Sequence, residues 1–319
     1  MKLRNTLLIT LLSALSVSGF AQEKVHNVAI TAIVEHPALD TIRQGVIEEL
    51  AREGFVDGKN IKIEFQSAQG SSATAAQIAR KFVGDKADII IPITTPSAQP
   101  VVAATRSVPI VFSGVTDPVA AKLVKSWEPS GTNVTGISDH KAIEPQLELI
   151  QTLVPNLTAV GYVYSAGEVN SAIVLDELKA AAEKAKIKVV PVAVQRSADI
   201  GTAARSLNGK VQAIYISEDN AVVSAYEALH KATLESKIPV IAADRDTVKR
   251  GALAAYAVNQ YDIGAETGKI AARVLRGEKA GIIATHAVSK MELSLNQQTA
   301  KELGITLPES LTKQAKELF

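Results

Sequence analysis

Two apolar runs, Ile89-Ile90-Ile91 and Ile110-Val111-Phe112, each give way to a polar turn and then to apolar positions at helical spacing. The first turn, Thr94-Thr95-Pro96-Ser97, offers a hydroxyl at the N-cap and proline in the first helical turn. The second, Thr116-Asp117-Pro118, has the same form and predicts a second capped helix. Unbroken apolar runs that feed capped helices are the units of a parallel α/β sheet buried on both faces. Upstream, residues 28–34 (VAITAIV) predict a strand. Residues 39–53 predict a helix with Ile42, Val46, Ile47 and Leu50 on one face and Gly54 at its end. Residues 61–65 alternate like a strand, 73–83 read as a helix, and 133–138 (NVTGIS) read as a strand leaving this half of the chain.

From Pro145 the pattern starts again. Helices are predicted at 145–153, 171–184, 198–207 and 222–234, with strands at 159–164, 187–194, 213–216 and 238–242. Each strand has a counterpart about 125 to 132 residues earlier, and so do the turns. Thr94-Thr95-Pro96 is mirrored by Glu218-Asp219-Asn220, and Thr116-Asp117 by Ala243-Asp244. Two copies of one βαβ pattern predict two similar lobes rather than one continuous sheet. A helix over 261–276, a strand-like stretch at 282–288 and a last helix ending at Gly304 fit neither copy. A tail of that kind predicts more than one crossing between the lobes. The expected division is 22–137 for the first lobe with 260–288 returning to it, and 138–259 for the second lobe with the tail 289–319.

The first 21 residues change the picture. Lys2 and Arg4 precede an apolar stretch over 6–17, and Gly19-Phe20-Ala21 places small residues at a cleavage site, so a Sec-type signal peptide cut before Gln22 is expected. The apolar stretch is shorter than a membrane span needs. The chain has no cysteine, which excludes disulfides and a lipid-modified cysteine and fits a soluble protein of the periplasm. Without Lys2 and Arg4 the 34 basic residues become 32, against 33 acidic ones, so no basic face for nucleic acid is implied.

Enzyme signatures are missing. There is no G-x-S-x-G, Walker A or G-x-G-x-x-G motif, and the five histidines show no metal-ligand spacing. No catalytic residue, cofactor or metal is expected. Polar side chains concentrate instead at the carboxyl ends of the strands, where open α/β sheets bind ligands. Thr94, Thr95, Ser97 and Asp117 belong to the first lobe; Asn170, Ser171, Asp219, Asn220 and Asp244 belong to the second. Such residues also cap helices everywhere. The duplicated placement of Asp117 and Asp244 on facing edges favours a cleft. There a helix N-terminus would take an anion and a carboxylate an ammonium, which together suit a zwitterion. His36 lies at a strand end and reads either as a solvated loop residue or as cleft lining. Phe112, Tyr164 and Tyr256 offer an apolar wall or ordinary core packing, and Trp127 sits in a Pro/Gly loop.

Taken together, HPALD at 36–40, DGKN at 57–60, TTPSAQ at 94–99, PIVFSGVTDP at 109–118, NVTGIS at 133–138, NS at 170–171, SEDN at 217–220, IPVIAAD at 238–244 and RGALAAYAVNQYDIG at 250–264 resemble the TrpX-type substrate-binding proteins of ABC transporters. The resemblance covers essentially all of the chain after the leader. It implies two Rossmann-like lobes with parallel sheets, about three hinge crossovers and a ligand cleft between them, the type I periplasmic-binding-protein fold. It implies a monomer that delivers a small ligand, an aromatic amino acid in characterised relatives, to an inner-membrane permease with a separate ATPase. On matching positions it puts Thr95, Ser97 and Ala98 at the ligand carboxylate, and Asp117, Asn170, Ser171, Asp219 and Asp244 around the ammonium. The chain departs from that pattern at Glu35 and at Ala257-Val258-Asn259-Gln260, beside the side-chain pocket. A sensory module with the same cleft, a binder of carboxylates without an amine, and a periplasmic hydrolase using Asp117 or Asp244 as base are the rival readings. The last lacks any nucleophile–base–orienter set.

Overall fold

The computed structural model describes residues 24–319; the expected signal peptide over 1–21 lies outside the described residues. The chain runs β1 (His26–Ala32), α1 (Pro37–Arg52), β2 (Ile61–Ser67), α2 (Ser72–Gly84), β3 (Ile89–Ile93), α3 (Thr95–Ala104), β4 (Ile110–Ser113) and β5 (Val134–Ser138). It continues with α4 (Glu144–Leu153), β6 (Ala159–Ser165), α5 (Val169–Lys184), β7 (Lys188–Val194), α6 (Ile200–Arg205), β8 (Ala213–Ile216), α7 (Asn220–Ser224), α8 (Tyr226–Glu235), β9 (Val240–Ala242), α9 (Arg245–Lys249) and β10 (Ala254–Val258). Then come α10 (Gln260–Leu275), β11 (His286–Ala287), β12 (Met291–Leu295), α11 (Gln297–Leu303), α12 (Glu309–Gln314) and β13 (Glu317–Leu318).

Two sheets result. One has six strands in the order β11-β5-β4-β3-β1-β2, the other seven in the order β13-β12-β10-β9-β8-β6-β7. The run β2-β1-β3-β4-β5 repeats as β7-β6-β8-β9-β10, so the duplication in the sequence is a duplication of topology. Neighbours within both runs are parallel; β12 is the exception, antiparallel to β10. In each lobe the strand order reverses beside β1 or β6, and the polar turns collect at the carboxyl ends around that reversal.

The apolar runs sit as their composition requires. All of β3 is buried; Ile89, Ile91 and Ile93 face one core of the first lobe and Ile90 the other. In β8, Ala213 and Tyr215 face one core of the second lobe while Ile214 and Ile216 face its partner. Strands covered by helices on both faces have no solvent side, which is why their sequence is apolar without alternation.

The chain passes between the lobes three times: from β5 through 139–143 into α4, from β10 through Asn259 into α10, and from β11 through 288–290 into β12. Two of these crossings lie side by side, since the Val288 N–H donates to the Ser138 carbonyl at 3.3 Å. Helix α10 returns to the first lobe and packs along α1. The two helices approach at glycine: a Cβ on Gly45 would collide with the Tyr261 carbonyl, and one on Gly264 with the Ile42 carbonyl.

Several predicted elements differ. The helix expected after Thr116-Asp117-Pro118 is a single turn, closed by Ala121 N–H to the Asp117 carbonyl and Leu123 N–H to the Pro118 carbonyl. Lys122 there adopts φ 61°, a left-handed conformation that ends the turn and stops it from propagating as a helix. The helix expected over 222–234 breaks at Ala225 into α7 and α8. The stretch 282–288 forms only β11 after a 3₁₀ turn at Ala280–Ile282. Strands β12 and β13 and helix α12 complete the second lobe with elements the repeat did not announce.

Candidate functional site

The first lobe contributes the turn from β3 into α3. Thr94 occupies the N-cap with φ 70° and ψ 163°, a conformation that strains any residue with a Cβ, and its side chain makes no capping bond. The expected capping hydroxyl is therefore free. The hydroxyls of Thr94, Thr95 and Ser97 are buried, and none bonds another protein group. Pro96 supplies the first-turn proline. Ala98 does not share this role: its N–H bonds the Thr94 carbonyl and its side chain lies in the core. His36, the N-cap of α1, is 9% exposed, and its Nδ1 also lacks a partner. Burial, reinforced by Arg250, lowers its pKa to about 3, so the imidazole is neutral.

The second lobe contributes carboxylates. Asp219 Oδ2 accepts the Ser165 N–H at 2.6 Å and the Ser171 hydroxyl at 2.7 Å, while Oδ1 caps α7 through the Val222 N–H. Ser171 in turn accepts at its carbonyl from the Tyr162 hydroxyl. Glu168 Oε2 accepts the N–H and the side-chain amide of Asn220, and Oε1 accepts the Ala221 N–H. Asn170 donates weakly to Glu168 and to the Glu218 carbonyl, both at 3.3 Å, and leaves its own Oδ1 unbonded. Asp244 caps α9, accepting the Thr247 N–H at 2.8 Å and the Thr247 hydroxyl at 2.7 Å.

The crossovers complete the floor. Lys141, from the first crossing, donates to Glu218 Oε2 at 2.7 Å, and Gln260, from the second, donates to Oε1 at 3.1 Å. Asp139, also on the first crossing, is 4% exposed and its Oδ1 has no protein partner. Burial, then the Asp139 charge, raises the Glu218 pKa to about 8 despite Lys141. Burial, then Asp219, raises Glu168 to about 7. Asp219 and Asp244 are also raised, by burial first. Burial works against the charge on Lys141, but the Glu218 and Asp139 carboxylates outweigh it and hold its pKa up.

Two cavities mark the cleft. An inner slot of about 10 Å³ is lined by His36, Leu39 and Thr94 from the first lobe, by Glu218, Asp244 and Asn220 from the second, and by Asp139 and Gln260 from the crossings. Ala38, Ile42 and Val223 give it apolar walls. A wider cavity of about 430 Å³ opens outside it, between Gln69, Gly70 and Pro96 on one side and Glu168, Arg196 and Asn220 on the other. Among the described residues no group of His, Asp or Glu is placed to hold a metal ion.

Of the residues singled out in the sequence, His36, Thr94, Asn220 and Asp244 line the slot. Thr95, Ser97 and Asn170 do not line it but carry buried polar atoms without a partner, and Ser171 and Asp219 bond each other. Asp117 is placed otherwise. It is half-buried, its Oδ1 accepts the N–H groups of Val119 and Ala120 at 2.9 Å, and it borders neither cavity. Tyr164 packs beside Tyr162 with ring centroids 5.8 Å apart, against the second lobe's core. Phe112 and Tyr256 are likewise core residues, and Glu35 accepts from Gln69 at the surface. Asp139, Lys141, Glu168 and Glu218 were not anticipated as site residues, whereas Gln260 was expected beside the side-chain pocket and does line the slot. A charged trio, Asp139-His140-Lys141, directly after a strand leaving its lobe was the available signal for the first two.

A model of the family described as "ABC transporter substrate binding protein" matches residues 27–319. A "Tyrosine-binding protein" of Clostridioides difficile is 41% identical over 281 residues, covering 88% of this chain and 81% of that protein. Among solved structures, an ABC domain from Streptococcus pneumonia in complex with L-Trp is 35% identical. It superposes with a TM-score of 0.90 over 93% of this chain and 100% of the other. A ligand-free, open substrate binding protein with adhesive properties from Clostridium difficile is 39% identical. It covers 92% of this chain and 99% of its own, yet superposes with a TM-score of only 0.69. Identity is similar in the two cases, and the chain superposes better on the L-Trp complex than on the ligand-free, open protein.

Proposed function

The chain belongs to the ABC transporter substrate binding protein family, and from that premise we propose that it captures a free aromatic amino acid outside the cytoplasm and hands it to a membrane permease driven by a separate ATPase. The observation that carries this reading is the pairing across the cleft. Thr94, whose buried hydroxyl has no protein partner, shares the slot with Asp139, Glu218 and Asp244, beside the single lysine Lys141 on Glu218, and Thr95 and Ser97 follow it with buried hydroxyls that are also unbonded. A ligand carboxylate would satisfy Thr94, Thr95 and Ser97 at the positive end of α3. A ligand ammonium would supply the missing positive charge opposite them. Ala38, Leu39, Ile42 and Val223 would receive a ring once the slot, about 10 Å³ as it stands, widens around it, and the neutral His36 would take a polar atom on its edge.

The tyrosine and tryptophan named for the two relatives above support the same ligand class. Closure follows from differential affinity: a ligand touching both lobes binds the closed arrangement better than the open one. Calorimetric titration with tyrosine, tryptophan and phenylalanine, and with the same ring systems lacking the amine, tests the proposal. Binding of at least one aromatic amino acid and little affinity for its deaminated analogue is the expected result. Preference for the deaminated acids would overturn the amino-acid reading.

A further inference from the structure

The floor of the cleft holds several acids, and their hydrogen bonds separate them. Both oxygens of Asp244 are held by Thr247, and both oxygens of Glu218 by Lys141 and Gln260. Asp219 is held by Ser165, Ser171 and Val222, and Glu168 by Asn220 and Ala221. Asp139 alone among these carries a buried oxygen, Oδ1, that no protein group bonds, and it lines the slot together with Glu218 and Asp244. A buried carboxylate oxygen without a donor is costly, whereas a cation brought to it by charge-assisted hydrogen bonds removes that cost.

We propose that Asp139 binds the ligand's ammonium directly, so that the residue recognising the ligand's charge is part of the hinge. This deepens the reading above and rests on it. Asp139 follows β5 immediately and begins the first crossing between the lobes; two residues later Lys141 ties that crossing to Glu218. An ammonium on Asp139 therefore draws together the first crossing, the Glu218 carboxylate and, through Gln260, the start of α10 in the first lobe. The other carboxyl groups have a framework role: they hold their own turns and crossings.

The test compares tyrosine and tryptophan with 3-(4-hydroxyphenyl)propionate and indole-3-propionate, on the wild type and on Asp139→Asn and Asp139→Glu. Asp139→Asn is expected to weaken the amino acids by about ten- to a hundred-fold, as for loss of a hydrogen bond between charged groups. The deaminated acids should change by no more than about two-fold, within what a substitution away from a ligand's contacts gives. Asp139→Glu keeps the charge and is expected to recover part of the loss; it also keeps the test alive if the amide variant folds poorly. Equal weakening of amine and deaminated ligands in both variants would assign Asp139 a purely structural role and overturn the proposal, as would unchanged affinity for the amino acids. If the wild type binds no amino acid at all, the functional reading falls and this inference with it. If it binds one and the ratio to the deaminated acid survives Asp139→Asn, only the inference falls.

Discussion

At the end of β3 the chain presents Thr94, Thr95 and Ser97 with their hydroxyls buried and unbonded. At the end of β8, the equivalent place in the other lobe, it presents Asp219 with both oxygens bonded. Topology and burial are the same, but the first turn leaves its polar groups for something else while the second spends them on its own loops. Backbone geometry agrees. Thr94 is held at φ 70°, whereas Asp219 caps α7 from an ordinary extended conformation. Strain and unmet hydrogen bonds collect where a ligand is to be met, and satisfied networks where a frame must be kept. One turn should therefore answer to mutation through affinity and the other through stability.

The sharpest way to break that contrast is Asp219→Ala. It leaves the Ser165 and Val222 N–H groups and the Ser171 hydroxyl without their acceptor, and should lower unfolding free energy by about 3 kcal/mol or more. Denaturant unfolding of the ligand-free protein measures it; a loss seen only in affinity would mean that Asp219 is a ligand contact rather than frame. Next in size is pH. The folded state keeps Glu168 protonated up to about 7 and Glu218 up to about 8, whereas the unfolded chain releases those protons near the ordinary glutamate value of 4.5. The folded state thus binds more protons between these limits, so its stability is full below them and is lost as pH rises from about 4.5 towards 8. For the well-buried Glu168 the effect is roughly 3 kcal/mol at most. Thermal melts of the ligand-free protein should fall across this window, and a flat profile would mean that the carboxylates are already ionised. The smallest effect is expected in the first lobe. Thr95→Val should cost about 1 to 2 kcal/mol of ligand affinity and leave the melting temperature unchanged or slightly higher, because it removes a hydroxyl that the protein does not use. A lowered melting temperature without an affinity change would reverse the roles of the two turns.

Much of the frame was legible in the sequence because burial on both faces writes itself as apolar runs, and because the duplication appears twice. The candidate site was legible in part, and the failures have a common cause. Asp117 and Asp244 occupy matched places in the repeat, but only Asp244 lines the slot; Asp117 closes a single turn that Lys122 ends in a left-handed conformation. Composition at the strand ends could not show which oxygens are already bonded. Thr94 and Ser97 look like ordinary caps until the structure shows their hydroxyls unpaired, and Asp219 looks like a ligand contact until its partners are seen. Asp139, Lys141 and Gln260 stand outside the repeat on the crossings, where no internal counterpart marks them.

The packing of α10 along α1 bears on the order in which the protein can assemble. The first lobe draws α10 and β11 from beyond β10, so during synthesis the apolar face of α1 waits until the whole second lobe has emerged. The collision at Gly45 and Gly264 rules out a looser substitute with larger side chains at that contact. The central part of the second lobe is continuous from α4 to β10 and meets no such delay. Assembly is therefore expected to be sequential and slow in its last step, governed by long-range contacts. A nascent chain whose first half cannot close early stays loose for longer than one whose lobes fold in turn.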